Sequence, residues 1–102
     1  MTRAAACAAL VVAAACGGSA PATRRVEIRD FRYHPDTLAA APGDTIEWAN
    51  HDVVPHTATM AGAWSTGEIG GGASGRVVVA ERGTHEYVCA FHPTMRAVLV
   101  IH

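Results

Sequence analysis

Lysine is missing from this chain. All eight of its basic side chains are arginine, and with nine acidic ones the net charge is −1 and the pI about 6.6. The arginines are scattered, so there is no basic stripe, which sets nucleic-acid binding aside. No internal repeat is visible. No His-rich or Met-rich tract of the kind that stores or hands over metal ions is present. No long stretch places apolar residues at helical spacing. The apolar run Ala4 to Ala15 is well short of the roughly 20 residues that a bilayer-spanning helix needs.

What is there fits one small domain: 102 residues, half of them hydrophobic, leave room for a single modest core. Residues 1–15, with Arg3 ahead of the apolar run, have the order of a secretory signal peptide. Ala13-Ala14-Ala15-Cys16-Gly17-Gly18 then resembles a bacterial lipobox, in which Cys16 is lipidated and becomes the first mature residue. Ordinary cleavage after Ala15 is the alternative, and both routes imply export to the periplasm or cell envelope. Residues 16–23, rich in Gly, Ser, Ala and Pro, are expected to form a flexible linker, and residues 24–102 the folded domain.

The three cysteines sharpen this reading. Cys7 falls within the signal and Cys16 at its end, which leaves Cys89 alone in an oxidising compartment where an unpaired thiol is a liability. A bridge to Cys16 would staple little, because Cys16 lies in the tether. Metal ligation explains the lone thiol better.

The domain reads as all-β. Val26 and Ile28 alternate with Glu27 and Arg29, and Ile46 and Trp48 with Thr45 and Glu47, after the turn residues Pro42-Gly43-Asp44. Val77 to Ala80 and His85 to Cys89, joined by Glu81-Arg82-Gly83-Thr84, predict a hairpin, and Ala97 to Ile101 a last strand. Gly70-Gly71-Gly72 puts the stretch from Trp64 to Ser74 in a loop. Seven or eight strands in about 80 residues suggest a Greek-key β-sandwich. Trp48, Tyr87 and Phe31 stand at core parity and are expected to pack inside, while Trp64 has no clear place. His34, His51, His85 and His102 read as surface or satisfied histidines.

Cys89-Ala90-Phe91-His92-Pro93-Thr94-Met95 gathers a thiolate, an imidazole and a thioether where a strand ends. Two His and one Cys with a weak axial Met are the donors of a blue copper site. Asn50-His51-Asp52-Val53-Val54-Pro55-His56-Thr57 supplies a second imidazole, with His56 as the candidate. Thioether is a poor zinc ligand, which argues against zinc.

With these residues the chain resembles the plastocyanin and amicyanin branch of the cupredoxins, and the C-x-x-H-x-x-M spacing with Pro93 after His92 is most similar to the amicyanin type. Phe31-Arg32-Tyr33-His34-Pro35, Pro42 to Asn50 and Gly83 to Cys89 extend the resemblance over most of residues 24–102. Phe91 stands where the family often has Pro, and Ala97 where it often has Gly.

The resemblance implies one copper ion held by His56, Cys89, His92 and Met95, with the backbone N–H of Thr57 aimed at the Cys89 sulfur. It implies that His92 is the port for electrons, within an apolar docking patch of Pro55, Phe91 and Pro93. The expected protein is a monomeric, extracytoplasmic one-electron carrier that docks briefly with a redox donor and an acceptor, and not an enzyme. A copper-delivery protein of the cell envelope is the alternative.

Overall fold

The computed structural model describes residues 20–102. The expectations for a signal at residues 1–15 and for lipidation of Cys16 lie outside them. Among the described residues nine strands follow one another: β1 (Thr23–Arg29), β2 (Arg32–His34), β3 (Thr37–Ala40), β4 (Thr45–Asn50), β5 (Thr59–Met60), β6 (Trp64–Ser65), β7 (Ser74–Val78), β8 (Gly83–Cys89) and β9 (His92–Ile101). No helix occurs among the described residues. Two sheets form, ordered β2-β1-β4-β7 and β3-β9-β8-β5-β6. β1 runs parallel to β4, and β3 parallel to β9. The all-β sandwich is thus as expected, with nine strands because β5 and β6 are two residues long.

Period-two alternation builds the core. Val26 and Ile28 on β1, Ile46 and Trp48 on β4, Tyr87 and Cys89 on β8, and Met95, Ala97, Leu99 and Ile101 on β9 all face inward and form one cluster. Burying each of the large ones contributes about 1.5–3 kcal/mol. The Trp48 indole N–H donates to the Tyr87 hydroxyl at 3.1 Å, so the largest buried side chain spans from one sheet to the other with its polar atom satisfied.

Four local expectations are corrected. β7 and β8 are not a hairpin: β7 pairs with β4, and β8 belongs to the other sheet. Beyond β7, Val79 exchanges backbone hydrogen bonds with the β3–β4 turn, its N–H going to Asp44 O and its C=O receiving Gly43 N–H, and this carries the chain across between sheets. The last strand starts at His92, five residues early. Phe31 is not in the core but half exposed, at 46%. The first strand takes in Thr23, because Ala22 is already tied down by its N–H to the Asp44 carboxylate and its C=O to Thr45 N–H. Trp64 finds its place on β6, half-buried beside Trp48 with ring centroids 5.7 Å apart, and its indole N–H donates to Nδ1 of the buried His85.

Candidate metal centre

Three segments meet at one end of the sandwich. Cys89 ends β8 and His92 opens β9. The two are cross-strand partners across the two-residue turn Ala90-Phe91. His56 lies in the β4–β5 connection, where it is bridged to Ile69 by a reciprocal pair of backbone hydrogen bonds.

The donor atoms of His56, Cys89 and His92 all lie within 4.8 Å of one another. Cys89 Sγ is 3.8 Å from His56 Nδ1 and 3.6 Å from His92 Nδ1. Bonds of about 2.0 Å to nitrogen and about 2.3 Å to thiolate, opened to roughly 120°, hold N and S about 3.7 Å apart around one ion. One thiolate and two imidazoles in a trigonal set suit copper by donor softness as well as by spacing. Met95 is buried on the core face of β9 and borders, with His92, an open groove of about 850 Å³ at this end of the molecule.

Burial is graded across the group. His56 and Cys89 are fully enclosed, and His92 is half-buried. The Thr57 N–H points at Cys89 Sγ from 3.3 Å, while the Thr57 hydroxyl oxygen accepts the Ala90 N–H at 2.9 Å. Thr57 therefore braces both the sulfur and the turn after it. Pro55, Phe91 and Pro93 are exposed.

Four residues that the sequence did not mark out support this end. Asn50 is buried and fully used: its side-chain amide donates to Val54 O and Ile69 O, and its Oδ1 accepts the Asp52 N–H. Asp52 Oδ2 lies 2.8 Å from His56 Nε2. Asp52 also receives the N–H groups of Asp30 and Phe31. Burial pushes the Asp52 carboxyl upward, but the Phe31, His56 and Asp30 hydrogen bonds outweigh it and hold the group below its ordinary value. Phe31 sets its ring edge-on to both imidazoles, with centroids 4.9 Å from His56 and 5.0 Å from His92. Tyr33, also buried, donates its hydroxyl to Thr57 O. Of these, Asp52 and Asn50 looked like ordinary turn residues; the Asn50–Val54, Asn50–Asp52 and Asp52–His56 bonds are local, whereas those to Ile69, Asp30 and Phe31 join distant parts of the chain.

His51 pairs on the surface with Glu27. His34 buries its Nε2 without a partner among the described residues.

Comparison with known proteins agrees with this geometry. Amicyanin of Paracoccus denitrificans is 29% identical over 82 residues, 74% of this chain; the match spans 63% of that protein's length, less than two thirds of it. The structure of an oxidised amicyanin variant superposes with a TM-score of 0.72 at 27% identity, covering 78% of this chain and 82% of the other. A purple cupredoxin from Nitrosopumilus maritimus shares the fold, with a TM-score of 0.70 at 22% identity over 78% of this chain and 99% of the other. A family model described as a cupredoxin-like domain matches residues 2–101. Sandwich, site and match over nearly the whole length lead to one assignment: the chain belongs to the cupredoxin-like family of copper proteins.

Proposed function

We propose that the protein is a type I, or blue, copper protein acting as a small extracytoplasmic one-electron carrier. The observation that carries the reading is the convergence of His56 Nδ1, Cys89 Sγ and His92 Nδ1 at one end of a rigid sandwich. His56, Cys89 and His92 would hold the ion, with Met95 as a fourth and weaker donor. Copper supplies the one-electron couple.

The chain's own residues do the rest. Cys89 and His56 sit on buried backbone and cannot rearrange cheaply, so both oxidation states meet nearly the same donors. The Thr57 N–H draws electron density from the thiolate. His92 offers a partly exposed ring as the port, with Pro55, Phe91 and Pro93 around it. That exposed rim suits brief contact with a donor or acceptor protein and separation afterwards. No general acid, base or nucleophile is assigned, and the role is not enzymatic. Residues 1–15 as a signal, Cys16 as a lipid-bearing first residue and the stretch between Cys16 and Ala22 as a tether would keep the domain in the periplasm or at the cell envelope, as a monomer.

The experiment is a Cu(II) titration followed by visible absorption, for the parent and Cys89→Ser. An intense thiolate-to-copper charge-transfer band in the parent, absent in the variant and bleached reversibly by a one-electron reductant, is the expected result. A colourless parent complex sinks the proposal.

A further inference from the structure

The Asp52 carboxylate makes three hydrogen bonds that end on two different parts of the site. Oδ1 accepts the Asp30 N–H at 2.8 Å, and Oδ2 accepts the Phe31 N–H at 2.9 Å and faces His56 Nε2 at 2.8 Å. An ionised carboxylate only accepts, so His56 Nε2 carries the proton and its Nδ1 lone pair is free to face Cys89. His56 has no surface exposure, so the ring takes its orientation from this bond.

The second part is the β1–β2 turn. Arg29 and Arg32 are partners across Asp30-Phe31, whose φ angles are 55° and 57°. A two-residue turn with both φ positive is the usual close for a twisted hairpin, and Asp30 suits its first place, but the second, held here by Phe31, is ordinarily Gly. A residue with a Cβ pays roughly 1–2 kcal/mol for this conformation, and an aromatic one gains nothing locally in return. The two N–H bonds to Asp52 supply the compensation, and the result is the Phe31 ring standing over both imidazoles. Asp52 is itself held through its N–H by the buried Asn50.

We infer that Asp52 is a positioning residue for the copper centre: one carboxylate fixes the proton and donor strength of His56 and seats Phe31 across His56 and His92. The inference rests on the copper reading above. A carboxylate behind a ligand imidazole makes its Nδ1 a stronger donor, which favours Cu(II) over Cu(I). Asp52→Asn keeps the shape but is neutral, and with one acceptor oxygen in place of two it must turn its NH₂ either toward the Asp30 N–H or toward the Phe31 and His56 N–H groups. Asp52→Ala removes every acceptor.

The test uses the full chain in parent, Asp52→Asn and Asp52→Ala forms, with two readouts. In the metal-free protein, ¹H–¹⁵N spectra of the imidazoles should show a slowly exchanging His56 Nε2–H in the parent that is lost in Asp52→Ala, together with altered ring-current shifts from Phe31. In the copper-loaded protein, Asp52→Asn should weaken Cu(II) binding about tenfold or more with little change for Cu(I), which raises the reduction potential by about 59 mV per tenfold. A His56 Nε2–H equally protected in Asp52→Ala, or an Asp52→Asn potential that corresponds to less than about a twofold change, overturns the inference. If Asp52→Ala does not fold, the isosteric Asp52→Asn decides by its potential. A parent without the charge-transfer band would instead count against the copper reading, and the metal-free spectra still decide the role of Asp52.

Discussion

The Tyr33 hydroxyl and the Thr57 carbonyl are 2.6 Å apart and buried, and the N–H of the same Thr57 points at the Cys89 sulfur. Tyr33 therefore steadies, from β2, the residue whose N–H reaches the thiolate. Burial pushes the Tyr33 phenol well above its ordinary pKa, so it donates as the neutral form at any working pH. Tyr33→Phe removes this donor and is expected to lower stability by about 1–3 kcal/mol, read as a lower urea midpoint, with a shifted charge-transfer band because Thr57 is less constrained.

Acid should unlock the start of β1. The N–H groups of Ala22 and Ala41, then Arg24, hold the Asp44 carboxyl down from 3.8 to about 2. A group whose pKa is depressed by folding stabilises the protein above its unfolded value and loses that contribution as pH falls through the folded one. Urea midpoints should drop between about pH 4 and pH 2, and Asp44→Asn should flatten that limb of the curve.

Gly71 lies where no side chain fits. A Cβ built there would be 2.6 Å from Asp52 O and 3.1 Å from Val53 O, and backbone cannot move aside as a flexible side chain can. Gly71→Ala should cost about 1–3 kcal/mol, as overpacking does, and should also perturb the copper spectrum, because the displaced segment carries Asp52. A variant with parent-like midpoint and spectrum would show that the loop yields freely.

Phe91, at 50% exposure, is where docking can be separated from tuning. Two carriers exchanging electrons through their His92 faces would bring two copies of residue 91 close together. Phe91→Glu should then slow electron self-exchange about tenfold or more, since like charges juxtaposed in an interface cost several kcal/mol. The rate is measurable by NMR line broadening on mixtures of oxidised and reduced protein. An unchanged rate would remove Phe91 from the contact face.

Much of this was legible in the chain because it is local. The alternation at Val26/Ile28 and Ile46/Trp48 gave the core faces, and the close spacing of Cys89, His92 and Met95 brought thiolate, imidazole and thioether into one segment. The crossover between β7 and β8 was not, since two strands around a four-residue turn read alike whether they pair or part; Val79 turning to Gly43 and Asp44 decides it. Phe31 was misplaced for a related reason. Its parity is that of a core residue, but its φ is set by a carboxylate 21 positions further on, and nothing near Asp30-Phe31 in sequence announces a tight turn. Asp52 carries part of the same lesson: its bond to His56 is local, but its bonds to Asp30 and Phe31 come from a distant hairpin.

The position of β9 bears on when the metal can enter. This strand lies between β3 and β8 in the five-stranded sheet, and its partners on β3, such as Thr37 for Val98, are distant in the chain. During synthesis β3 and β8 emerge first with an empty slot between them, and pairing of such non-local strands is slow. His92 and Met95 arrive with the strand that fills the slot. Until then the chain offers only His56 and Cys89, so copper can meet the whole donor set only once β9 is in place, and metal supplied earlier meets a site that has not yet been built.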